Sequence, residues 1–129
     1  MYTQTLVEKS VNDGERLLRA LEDHSLNPKA AFWYFNPELD RWKLMISLPL
    51  MDTGHHQHAY RVVEETRMAT NPEVAIPLSD VQLQSSHSLL VGAVRAAVRG
   101  LPASMKSGFH YIGETVNNQF IGDVYIYRV

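Results

Sequence analysis

The stretch 30-AAFWYFNPELDRWKLMISLPL-50 decides how the rest of the chain is read. Two runs rich in aromatic and branched residues flank the turn-forming NPELD, which predicts a β-hairpin. In the second run Trp42, Leu44, Ile46 and Leu48 alternate with Arg41, Lys43, Met45 and Ser47, so the first set is expected to face a core. In the first run Phe32 and Tyr34 point one way and Trp33 and Phe35 the other, and all four are large. A strand apolar on both faces is expected to be covered on both.

Upstream, Val7, Val11, Leu18 and Leu21, with Gly14 in register, follow the 4, 3, 4, 3 spacing of an amphipathic helix from Thr3 to about His24. Pro28 stops it by biasing Asn27 away from helical geometry. Gly14 costs about 1 kcal/mol against alanine in a helix interior, so the first half is expected to fray or form a separate short turn. Downstream, Asp52 or Thr53 is placed to cap a second helix from about His55, with Ala59, Val62, Val63 and Thr66 inward, ending at ATNP. VAIPLSDVQLQ reads as a third strand from about Val74 to Gln84, broken or held at an edge by Pro77. Ser85 or Ser86 is expected to cap a third helix that Gly100 and Pro102 terminate. GFHYIGETV and FIGDVYIYRV form a closing pair of strands joined through NNQ.

The resulting order, α-β-β-α-β-α-β-β, predicts a single α+β domain over residues 1–129, with about five strands in one largely antiparallel or mixed sheet and three helices packed on it. The strand order does not follow from the pattern. With 129 residues, 45% of them hydrophobic and 20% charged, the chain suffices for one core, and no repeat or linker divides it. The net charge of −2 supplies no overall field for nucleic acid or an anionic membrane. The absence of cysteine excludes a disulfide scaffold, a thiolate metal site and a cysteine nucleophile. The N-terminal segment lacks the pattern of a secretory signal and no run approaches about 20 apolar residues, so the expected location is cytoplasmic.

GHHQHAYR, residues 54 to 61, raises the question of a metal site at His55, His56 and His58. In the HxHxDH signature of metallo-beta-lactamase-like hydrolases an aspartate and a histidine follow the HxH. Here Ala59, Tyr60 and Arg61 follow it, so that signature fails. On a helix, His55 and His58 lie at i, i+3 and His56 turns away, leaving two ligands where three or four are needed. The expected reading is a solvated helix start with no metal and no cofactor.

Other patterns have plain explanations. Ser86, His87 and Ser88 are adjacent, and adjacent helical residues point in different directions, so no catalytic residue is assigned there. Glu114, Asp123 and His110 lie on or near the terminal hairpin without visible reach to a substrate. Arg95 and Arg99 share a helix face and Lys106 follows, but their helix is apolar nearly all round, so they read as rim charges on a buried element rather than a nucleic-acid reader. Its small residues Gly92, Ala93, Ala96 and Ala97 read as tight packing on the sheet.

The collective signal is surplus apolar surface on both faces of the first hairpin and of DVYIYRV. Either the helices divide between the faces, or one face meets another protein. The expected role is a protein-interaction or accessory module acting as a homodimer, through an aromatic face drawn from Trp33, Met45, Tyr125 and Tyr127. The alternative is a small ligand-binding protein or enzyme whose pocket is lined by His55 and His58, with His110 converging on them.

Overall fold

The first hairpin sits at the centre of the sheet. In the computed structural model, which describes residues 6, 8–116 and 118–129, strands β1 (Ala30–Asn36) and β2 (Arg41–Ser47) pair antiparallel in the register Ala30↔Ser47 to Asn36↔Arg41. The turn is held by Asn36, whose Oδ1 accepts from the N–H groups of Glu38 (3.0 Å) and Leu39 (3.2 Å). Asp40 takes the left-handed conformation there (φ 51°), which a short polar side chain tolerates.

Helix α1 (Glu8–Asp23) precedes the hairpin, and α2 (Pro49–Asp52) and α3 (His56–Ala69) follow it. Then come β3 (Val81–Gln84), α4 (Leu89–Val98), β4 (Gly108–Val116) and β5 (Gln119–Arg128). The five strands lie in the order β3-β2-β1-β5-β4. The β2/β3 pair is parallel and the others are antiparallel, so the sheet is mixed and the fold α+β.

The helices divide between the two faces, which is why β1 is apolar on both. On the first face Trp33, Leu44, Ile46 and Leu83 pack with Leu17, Leu18 and Leu21 of α1 and with Ala59 and Val63 of α3. On the second, Phe32, Tyr34, Met45, Ile121, Val124 and Ile126 pack with Leu90, Val91, Ala93, Val94 and Val98 of α4. Period-2 alternation sends successive residues of β1 to opposite layers, so the one strand feeds both cores.

Several expectations are corrected. The start of α1 is Glu8; Thr3 and Val7 lie outside the described residues. The helix runs unbroken through Gly14, where Tyr127 reaches in and leaves no room for a side chain: a Cβ there would stand 2.2 Å from the Tyr127 hydroxyl oxygen. Neither Asp52 nor Thr53 caps α3. Pro49 starts the extra turn α2, Gly54 (φ 82°) reverses the chain, and His55 occupies the cap position without a side-chain bond to the N–H groups of the first turn. The third strand is only Val81–Gln84; Pro77 keeps residues 74–77 out of the sheet and a 3-10 turn, Leu78–Asp80, leads in. The cap of α4 is Ser88, whose Oγ accepts from the Val91 N–H at 3.2 Å. Nor is α4 buried all round: Ala93 is enclosed, but Ala96, Ala97 and Leu89 are exposed and Gly92 has no neighbour where a Cβ would be. One helix covering a sheet face always keeps an outer side, and here that side mixes apolar Leu89, Gly92, Ala96 and Ala97 with Arg95 and Arg99 towards the C-terminal end.

Candidate functional site

The histidines are spread rather than gathered. His55, His56 and His58 are exposed at the start of α3, and His55 Nδ1 lies 2.8 Å from Thr53 Oγ1. His110 is on β4, at the opposite edge of the sheet from β3, which α3 adjoins, and pairs with Val124 of the second face. Its Nε2 is enclosed without a hydrogen-bond partner among the described residues. His110 therefore does not converge on His55 and His58. Among the described residues no three of His, Asp or Glu are grouped to hold a metal ion.

Ser85 and Ser86 serve a carboxylate instead of a helix. Asp52 Oδ1 accepts from Ser85 Oγ (2.7 Å) and the Ser86 N–H (2.7 Å), and Oδ2 accepts from Ser86 Oγ (3.0 Å). Lys29 Nζ stands 3.9 Å away. The Ser85 bond first, then the Ser86 N–H, outweigh partial burial and, with Ser86 Oγ and the Lys29 charge, hold the Asp52 carboxyl below its ordinary range. This knot joins α2 to the loop that leads into α4, and His87 stands exposed beside it. Its groups are satisfied by one another, which is the signature of a structural clasp.

The four residues expected to form an aromatic contact face separate. Met45 is fully buried on the second face under α4, and Trp33 on the first is 3% exposed. Both are core residues, so neither belongs to a contact surface: the odd–even alternation that exposes them in a two-strand view places them under helices in the five-strand sheet. Tyr127 is also committed inward, accepting from Trp33 Nε1 (2.9 Å) and donating to the Val11 carbonyl (2.6 Å). Burial drives its phenol well above its ordinary pKa, so it remains a neutral donor.

Tyr125 lies beside uncovered surface. Its ring meets Phe109 edge-on at 4.7 Å and Tyr127 at 5.3 Å between centroids. Beyond it, where α1 no longer covers the sheet, Phe109, Tyr111 and Phe120 are 61%, 72% and 50% exposed. Phe109 and Tyr111 are two residues apart on β4 and so share a face, and the rings of Tyr111 and Phe120 both border Gly122, 3.9 and 3.3 Å from where its Cβ would lie. The residues missed from the sequence are these three. Their signal was present as the F-x-Y spacing at 109 and 111, but only the strand order sets them beyond the helices among the described residues.

Comparison of the chain with protein-family models, curated proteins and solved structures finds no match in any of the three.

Proposed function

We propose that this protein is an interaction or accessory module that pairs with a second copy of itself through the outer hairpin β4–β5. The observation that carries this reading is the concentration of Phe109, Tyr111 and Phe120 on one uncovered corner of the sheet. Isolated exposed apolar residues are ordinary, but three adjoining aromatics on a face otherwise packed under helices are a contact surface.

The choice of a second copy follows from symmetry. Strand β4 is the edge of the sheet, so its outer backbone N–H and C=O groups are unpaired by any strand. An antiparallel β4–β4 pair centred on His110 sets Phe109 of one copy beside Tyr111 of the other. The two aromatic patches then merge on one side of a ten-strand sheet, the self-complementary arrangement a two-fold interface requires. The pairing is confined to about residues 108–112, because the strand leaves regular register between Tyr111 and Glu114, with Gly113 at φ 64°.

Sedimentation velocity over a concentration series, with native mass spectrometry, tests this. The expected result is a reversible dimer that becomes a monomer when Phe109, Tyr111 and Phe120 are replaced together by serine. A parent protein that stays monomeric at about 100 μM, a concentration at which even weak specific pairs associate, overturns the homodimer.

A further inference from the structure

The cations of this chain are unevenly satisfied. Among the described residues, all but four of the 12 lysines and arginines reach a carboxylate within 4.0 Å. The four without an ion pair among the described residues are Arg61, Arg95, Arg99 and Lys106. Arg61 stands exposed on α3. The other three line one pocket of about 560 Å³ at the C-terminal end of α4.

They arrive from different segments. Arg95 lies in the last turn of α4 and Arg99 is its C-cap, one turn further on. Lys106 and Ser107 enter from the other side, after the 3-10 turn Ala103–Met105 and just before β4. Arg128 also borders the pocket but is engaged by Glu22 (2.5 Å) and the Pro28 carbonyl (3.3 Å). No acidic side chain lines it, and the pocket stays positive even with a main-chain carboxylate counted at Val129.

The carbonyl end of α4 attracts positive charge, which accounts for Arg95 and Arg99. It does not account for Lys106, whose ammonium adds like charge to the same concavity. Three cations facing one space without a counter-charge repel one another, and a multiply charged anion relieves all three contacts at once. Two guanidiniums supply the planar forks, the ammonium a point charge and Ser107 a hydroxyl, a donor set matched to phosphate oxygens.

We propose that this pocket binds a small phosphate-bearing polyanion. Its volume exceeds what a single phosphate needs, and Val98 and Ala103 give it an apolar wall for the rest of such a ligand. A polynucleotide is disfavoured because the chain is net −2 and, among the described residues, every cation outside the pocket except Arg61 is paired with a carboxylate.

The test is isothermal titration calorimetry of the full chain with inorganic pyrophosphate at low salt, with inorganic phosphate for comparison. Pyrophosphate should bind saturably, one per chain, and more tightly than phosphate. Replacing Arg99 and Lys106 together by glutamine should weaken it by about tenfold or more, the scale of losing two charge-assisted contacts. The unfolding midpoint without ligand should be unchanged or raised, since repulsion is relieved. Arg61→Gln should leave affinity unaltered. Absence of saturable binding, equal affinity in the double variant, an equal loss in Arg61→Gln, or tighter binding of a single-stranded oligonucleotide than of pyrophosphate would each overturn the proposal.

Discussion

Asp13 shows how one buried charge can organise its surroundings. Its carboxylate, on a residue 5% exposed, accepts from Lys9 Nζ (3.0 Å), Arg16 Nη1 (3.4 Å) and the Ala75 N–H (3.3 Å), so it fastens residues 72–77 to α1. Arg16 completes the tie through the Pro72 carbonyl. Burial alone pushes this carboxyl up, but the Lys9 bond, the Ala75 N–H and the charges of Lys9 and Arg16 together outweigh it and hold its pKa below the ordinary value. In the unfolded chain the group titrates near about 3.9. A folded pKa below the unfolded one means that the folded state binds the proton less tightly. The stabilisation is then complete above the unfolded value and is lost as the pH falls through the folded one. Asp52 is lowered too and loses its contribution in the same direction. Asp13→Asn should therefore reduce stability at pH 7 by about 1–3 kcal/mol, read from urea unfolding, with the difference from the parent shrinking steadily below about pH 4. A difference that is the same at pH 7 and pH 3 would show that charge is not what Asp13 contributes.

At the level of elements, the seating of α1 depends on Gly14. Alanine is the better helix former by about 1 kcal/mol, so propensity favours Gly14→Ala. Sterics oppose it more strongly, because the added Cβ would lie 2.2 Å from the Tyr127 hydroxyl oxygen and 3.1 Å from Trp33 Nε1. Tyr127 cannot swing aside without breaking its bonds to Trp33 and Val11. Gly14→Ala is expected to destabilise by about 1–3 kcal/mol net, the range for overpacking, and Tyr127→Phe in the same chain to recover part of the loss. Thermal unfolding of the four members of this cycle checks it; additive losses would remove the contact from the explanation. The same position marks the boundary of what the sequence discloses. The stripe through Val11, Leu18 and Leu21 and the two-faced apolar character of the first hairpin and of β5 were readable, since they report only which side of an element is apolar. The role of Gly14 was not, since its reason lies 113 positions along, in β5. The misplaced cap of α4 has a similar cause: Ser85, Ser86 and Ser88 are equivalent by type, and the distant Asp52 claims the first two.

At the scale of the whole molecule the deciding fact is the strand order, which no local pattern supplies. Placing β5 and β4 beyond β1 leaves the first face covered over β1–β3 by α1 and α3, while the aromatic side of β4 extends past them. Trp33 and Met45, expected at a contact surface, lie inside the two cores, and Phe109, Tyr111 and Phe120 take their place outside. His55 and His58 separate from His110 for the same reason, since α3 adjoins β3 at one edge of the sheet and His110 lies on β4 at the other. Among the described residues no helix is long and apolar enough to cross a membrane, so the exposed rings are not part of such a span. If they are the interface between two copies, unfolding is coupled to dissociation and the midpoint temperature must depend on concentration. Each tenfold increase in protein then adds about 1.4 kcal/mol of apparent stability, a rise of a few degrees for a domain of this size. Serine at Phe109, Tyr111 and Phe120 should abolish that dependence while leaving the dilute midpoint near that of the parent, since exposed side chains contribute little to the monomer's own core. A parent midpoint independent of concentration across two decades would place these aromatics outside any self-interface. A dilute midpoint that drops sharply in the variant would instead assign the rings to the packing of the hairpin itself.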